Sequence, residues 1–284
     1  MRKKLIVGTS VAVVAAVAVT FLALRGRWGE AGRGSLPRLA ATAEAGEAAP
    51  RGETGAAGKG MAAIEHAAKA GKYLFIFFYR DVTGETGAMR KVFHAAMAKA
   101  SDRAEGVEAN VADPSEEALV RKFNVSRAPM PLVLVLAPNG AVTGGFPTEF
   151  DEEKLLGAFV SPGMAQCLKG LQQRKLVFVC VQNQATKSNE AAMRGVRDFE
   201  ADPQYKGATE VVTLDPAKSE DAKLLGQLRV APDIQEAVTV LLAPPGAVLG
   251  TFQGATSKSQ IVAMLNKANM ACGSGGCGPS SGAG

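Results

Sequence analysis

The chain has 284 residues, 47% of them apolar, and a formal charge of +5; this allows one or two domains with real cores and excludes disorder of the whole chain. Its Lys and Arg residues are spread along the sequence and Trp28 is the single tryptophan, so no nucleic-acid partner is expected. Four cysteines, two in periodic segments and two near the C-terminus, are too few and too unevenly placed for a disulfide-stapled scaffold.

In chain order, the first element is "MRKK" followed by an uncharged run from Leu5 to Leu24. As a helix rising about 1.5 Å per residue it reaches roughly 30 Å, the thickness of a bilayer core. A cleaved signal has an apolar region of about 7 to 15 residues and a small-x-small site just beyond it. Here "RGRW" follows at once, and the nearest such site, Gly29-Glu30-Ala31, lies downstream. Residues 1–27 therefore read as an uncleaved membrane anchor, with a cleaved signal sequence and secretion as the alternative. Arg2, Lys3 and Lys4 set against Arg25 and Arg27 give a slight positive-inside bias. It leaves the N-terminus in the cytoplasm and the remaining domains outside it, periplasmic or otherwise extracytoplasmic. Residues 28–60 are rich in Ala and Gly and nearly devoid of large apolar side chains after Leu39. They cannot bury enough surface to offset ordering and form a flexible linker with a root-mean-square span of about 30 Å.

The remainder repeats itself. "GMAAIEHAAKAGKYLFIFFY" from Gly60 runs without a gap against "GMAQCLKGLQQRKLVFVCVQ" from Gly163. "NVADPSEEALVRKFNVSRAP" is echoed by "VTLDPAKSEDAKLLGQLRVAP", and "PLVLVLAPNGAVTGGF" by "AVTVLLAPPGAVLGTF". Three matched blocks in one order mean two copies of one fold, at 61–162 and 163–269, followed by a Gly-rich tail at 270–284. Each copy reads helix, strand, helix, strand, helix, strand, turn, strand, helix. The strand after each Ala-Pro is a near-continuous apolar run, as expected of a central strand covered on both faces. Asn139-Gly140 marks a hairpin. The closing helices are expected at Asp151 to Val160 and Ser257 to Ala268, and the two sheets are expected to be separate.

On these residues the first copy resembles the thioredoxin superfamily. The features that carry the resemblance are the strand "YLFIFFYRD", the turn and helix "TGETGAMRKVF" in place of a Cys-x-x-Cys, and the strand and hairpin "APMPLVLVLAPNGAVTGGF". The resemblance implies an α/β fold class: two tandem thioredoxin-like domains after an N-terminal transmembrane helix and a flexible linker. It places Thr83 and Thr86 where the redox cysteines stand, Val82 where a tryptophan precedes them and Phe77 where a buried aspartate handles protons. Pro131 matches the family's cis-proline, so Met130-Pro131 is expected to be cis. In the second copy Thr186 and Asn189 take the cysteine positions and Ala237 the proline position. A thiolate at a helix N-terminus is reactive because free amides and the helix dipole lower its pKa; a hydroxyl there acts as a cap. Neither copy therefore has a catalytic residue of the family's redox chemistry, and no cofactor is implied.

Cys167 and Cys180 lie in apolar periodic segments and read as small buried residues. His66 and His94 have no partners at a metal-like spacing, and Glu116-Glu117 and Glu152-Glu153 read as acidic helix starts. The tail is different: Cys272 and Cys277, four small residues apart, can close a small disulfide, bind a soft metal such as Cu(I), or be incidental. The resemblance thus implies a redox-inactive protein-binding or scaffold module, held to the membrane through Leu5 to Leu24. Its groove at Thr83, Thr86, Met130 and Pro131 takes a protein partner, as redox-inactive domains of protein disulfide isomerases do. The alternative is a thiol-disulfide or soft-metal handling protein that works through Cys272 and Cys277.

Overall fold

The computed structural model describes residues 58–273. The anchor at Leu5 to Leu24, nearly all of the linker, and Cys277 lie outside the described residues. Among the described residues no helix is long and apolar enough to cross a membrane.

The first repeat runs α1 (Lys59–Lys69), β1 (Tyr73–Tyr79), α2 (Gly84–Lys99), β2 (Ala104–Asn110), a 3₁₀ turn (Pro114–Glu116), α3 (Glu117–Phe123), β3 (Leu132–Leu136), β4 (Val142–Pro147) and α4 (Glu152–Leu156). The second runs α5 (Pro162–Gln172), β5 (Leu176–Val181), α6 (Asn189–Glu200), β6 (Thr209–Leu214), a 3₁₀ turn (Ser219–Asp221), α7 (Ala222–Gln227), β7 (Val238–Ala243), β8 (Ala247–Gln253) and α8 (Lys258–Gly273). Three boundaries differ from the sequence expectation. The first helix starts at Lys59, α4 stops at Leu156 with Gly157 as its cap, and α8 runs on to Gly273. No Gly or Pro interrupts the chain between Ala268 and Gly273, so Cys272 lies within the helix and not in the tail.

The strands form two separate four-stranded sheets, ordered β2-β1-β3-β4 and β6-β5-β7-β8. In each, the first strand pairs parallel with the second and antiparallel with the third, which pairs antiparallel with the fourth. The equivalent central strands are β1 and β5. Because successive side chains on a strand face opposite ways, Leu74, Ile76 and Phe78 join the core beneath α1 and α3, while Phe75 and Phe77 pack beneath α2 and α4 with Phe93 and Phe150. Both sides are covered, which is why "YLFIFFY" is apolar throughout. Val177, Val179 and Val181 and Phe178 with Cys180 divide the second sheet's core in the same way.

The repeated Gly-Met-Ala has a packing cause. A Cβ on Gly60 would lie 2.4 Å from Leu119 Cδ2 and 2.8 Å from Glu116 Oε2; one on Gly163 would lie 2.5 Å from Leu214 Cδ2 and 2.7 Å from Asp221 Oδ1. Each glycine lets the start of a helix rest on a buried carboxylate. Glu116 is no simple helix start: its two oxygens accept the Gly60 N–H at 3.1 and 3.2 Å, where negative charge favours the helix dipole. The shorter Asp221 leaves Oδ1 buried and without a hydrogen-bond partner among the described residues.

Candidate functional site

In the first domain, β1 ends at Tyr79 and the chain turns through Arg80, Asp81 and Val82 into α2. Thr83 is the N-cap: its Oγ1 accepts the Thr86 N–H at 3.1 Å and donates to Thr86 Oγ1, also at 3.1 Å. The first hydroxyl is exposed and the second is buried, Thr86 being 6% exposed. Opposite them is Met130-Pro131, whose peptide bond is cis. Arg80 Nη2 donates to the Ser126 carbonyl at 2.9 Å, tying the end of β1 to the loop that leads to this proline. Between the turn and the loop is a cleft of about 250 Å³ lined by Arg80, Asp81, Thr83, Glu85, Thr86, Ala128, Met130 and Pro131. Val82, 75% exposed, stands beside the turn, an apolar side chain with nothing covering it among the described residues. The main chain of Met130 makes no backbone hydrogen bond among the described residues.

Behind the turn, Phe77 is fully buried. Its ring centroid is 5.4 Å from that of Phe93 and 6.1 Å from that of Tyr79. Arg90 lies over both Phe77 and Tyr79 and is held by Glu108, Nε to Oε2, at 2.8 Å. The core behind the site is aromatic, and the Phe77 position offers no proton carrier.

The second domain arranges the matching residues differently. Thr186 is buried; its hydroxyl accepts the Asn183 N–H at 2.9 Å and donates to Asn189 Oδ1 at 2.7 Å, while Asn189 Nδ2 donates to the Asn183 carbonyl at 2.6 Å. Asn183 Nδ2 also donates to Asp215 Oδ1 at 2.9 Å. The Ala217 amide, and then Asn183, hold the Asp215 carboxyl below its usual pKa. Helix α6 starts only at Asn189, after a left-handed Ser188. Between them Lys187 forms a parallel bridge with Glu236: its N–H donates to the Gln235 carbonyl and its carbonyl accepts the Ala237 N–H, both at 2.9 Å. Glu236 and Ala237 match Met130 and Pro131. Proline has no N–H, so half of this bridge is chemically impossible in the first domain.

The other sequence candidates lie elsewhere. Cys167 and Cys180 are free and buried, and burial pushes their thiols up to about 12 and about 11. His66 pairs with Glu105 and His94 with Glu108 at the surface. Among the described residues no three His, Cys, Asp or Glu side chains gather as a metal set. The Lys187 bridge was hidden from sequence reasoning, although the loss of proline at Ala237, which restores an N–H, was its readable sign.

No protein-family model and no curated protein matches the chain. Solved structures similar to it include the first two thioredoxin domains of Saccharomyces cerevisiae Eps1p, 10% identical over 77% of this chain and 99% of that one, with a TM-score of 0.28. The germline thioredoxin Deadhead of Drosophila melanogaster is 25% identical over 33% of this chain and 82% of its own, with a TM-score of 0.28. A disulphide isomerase of Xylella fastidiosa is 19% identical over 34% of this chain and 77% of its own, with a TM-score of 0.27. Strand order, ladder directions and the cis-proline define the class: two tandem domains of thioredoxin-like fold, neither with a Cys-x-x-Cys.

Proposed function

We propose that this chain is a redox-inactive binding module whose first domain holds an extended polypeptide segment in the cleft between Thr83 and Met130, and that the N-terminal segment tethers it to a membrane with both domains outside the cytoplasm. The observation that carries this reading is the unpaired Met130 main chain in the cleft across from the Thr83 cap, with the exposed Val82 next to that cap. An extended segment can pair with a free main-chain edge while an alternate side chain contacts Val82. Two observations support redox silence: hydroxyls cap the helix where thiolates would react, and Phe77 supplies no proton. The second domain, closed on itself by Lys187, serves as a rigid support. The linker and anchor at 1–60 support the tether by composition and length. The alternative, in which Cys272 and Cys277 handle thiols or a soft metal, rests on a pair of which Cys277 lies outside the described residues.

The test is binding of a cysteine-blocked, permanently unfolded polypeptide to the soluble part, residues 58–284. Met130→Asp and Val82→Lys are each expected to weaken it at least tenfold, and Ala185→Lys, at the position matching Val82, to leave it unchanged. Equal loss from all three, or no binding by the unaltered protein, would overturn the reading.

A further inference from the structure

The first domain's hairpin packs on the helix that opens the second domain, and among the described residues the matching hairpin of the second domain has no such helix on it. In the first domain the hairpin joining β3 to β4 holds Ala137 and Ala141 at 3% and 0% exposure, packed against Ala165 with Leu168 alongside, both on α5 of the second domain. The same helix supplies Gln172, whose Oε1 accepts the Val142 N–H at 3.0 Å and whose Nε2 donates to the Val142 carbonyl at 2.7 Å. A side-chain amide thus satisfies one residue of the edge strand β4 as a neighbouring strand would, and so covers the edge.

In the second sheet the register is the same: Leu136 pairs with Val142 and Leu242 with Val248, each next to an irregularity one residue earlier on the partner strand. Ala243, Ala247 and Val248 therefore match Ala137, Ala141 and Val142, and the Val248 main chain is directed to the open edge of β8. Among the described residues no helix beyond α8 follows β8. Ala243 is half-buried, Ala247 is exposed and Val248 is 45% exposed. The strand that carries Ala247 and Val248, "AVLGTFQ", has no charge and no proline of its own, the usual guards of an open edge; Pro244 and Pro245 stand in the turn before it.

We infer that the β7–β8 hairpin is a docking site for one helix of a partner protein, presenting a small residue, Leu three positions later and Gln seven positions later on one face. The occupant is defined by the intramolecular contact: Ala165, Leu168 and Gln172 are those residues on α5. A second copy of this chain is a poor fit, because its own leading helix places Ala62, Glu65 and Lys69 at these positions, and Glu65 would be buried without a partner against alanines. The chain beyond 273, "SGGCGPSSGAG", has neither Leu nor Gln. The site is independent of the Met130 cleft, and each can fail without the other.

The experiment uses residues 58–284 and a peptide of residues 161–174, stapled between positions 167 and 171 so that the staple covers the face α5 turns to its own core. Saturable binding is expected, with amide shifts centred on Ala243, Ala247 and Val248. Val248→Asp is expected to weaken binding at least tenfold, as is Gln172→Ala in the peptide, whereas Val82→Asp leaves it unchanged. Absence of saturable binding at millimolar peptide, or binding indifferent to Val248→Asp, would overturn the proposal. So would a dimer in sedimentation that Val248→Asp dissolves, since the occupant would then be a second copy.

Discussion

The same turn, written twice, ends open in one domain and closed in the other. At Thr83 the chain enters its helix at once, one hydroxyl exposed and one buried, opposite a main chain that nothing pairs with among the described residues. At Thr186 it knots through Asn183 and Asn189, delays the helix and spends Lys187 on the strand end beside Ala237. Proline against alanine decides much of this: the N–H at position 237 donates to the Lys187 carbonyl, and Pro131, without an N–H, can form at most the other half of such a bridge. A fold can keep a binding edge open by withholding one donor.

The largest expected effect breaks the second domain alone. A Cβ on Gly195, in the middle of α6, would lie 1.9 Å from the Thr256 carbonyl oxygen. Alanine gains roughly 1 kcal/mol of helix propensity, but the clash is with backbone and cannot be relieved by a rotamer. Gly195→Ala should cost about 3 kcal/mol, seen as faster hydrogen exchange in β5 to β7. The matching Val92→Ala in the first domain has no such clash to make and should leave both domains folded with a smaller loss.

Alkaline pH should separate the domains in the same direction. Cys167 and Cys180 have folded-state pKa values raised from 9.0 to about 12 and about 11, chiefly by burial. A raised pKa contributes stability that is complete below about 9 and is lost as pH rises through 11 to 12. The first repeat has no cysteine and carries a raised weak acid of this kind in the half-buried Tyr73 phenol, raised chiefly by burial, so β5 to β7, with two raised thiols, should lose exchange protection earlier than β1 to β3 over that window. Below pH 9 neither thiol should alkylate in the native protein.

Cysteine substitution sharpens the comparison at the turns. With Thr83→Cys and Thr86→Cys, the first thiol is exposed at a helix N-terminus, and its alkylation at pH 7 should be roughly tenfold faster than that of a free cysteine. With Thr186→Cys and Asn189→Cys, the first position is buried and two residues short of the helix, so reaction should be slower than for a free cysteine. The smallest effect comes from Ala237→Pro, which removes one bridge bond worth about 1 kcal/mol. The Lys187 amide should then exchange about fivefold faster.

What could be read from the sequence was whatever repeats or caps locally. The gapless Gly-Met-Ala blocks, the apolar strands and Thr83 ahead of Gly84 suffice for two sheets of this order and for a hydroxyl cap on the helix. What could not be read depends on residues far apart in the chain. Gly60 needs Glu116 to explain it, Val142 needs Gln172, and Gly195 needs Thr256; no local pattern pairs them. The helix end at Gly273 lies beyond the expected one because Asn269, a residue type that often ends helices, is carried through here, so a boundary set at Ala268 falls short. The acid matching Glu116 in the second copy, Asp221, was the one long-range clue within reach, since both face the same glycine of the repeat.

The account turns on whether the Met130 edge is open in the free protein and filled by an extended segment. Amide hydrogen exchange measured with and without the cysteine-blocked unfolded polypeptide tests this directly. The expected result is an unprotected Met130 amide in the free protein that slows at least tenfold on addition of the polypeptide, while the Lys187 and Ala237 amides are protected from the start and do not change. A Met130 amide already protected in the free protein, or protection gained at Lys187 and Ala237 instead, would contradict it.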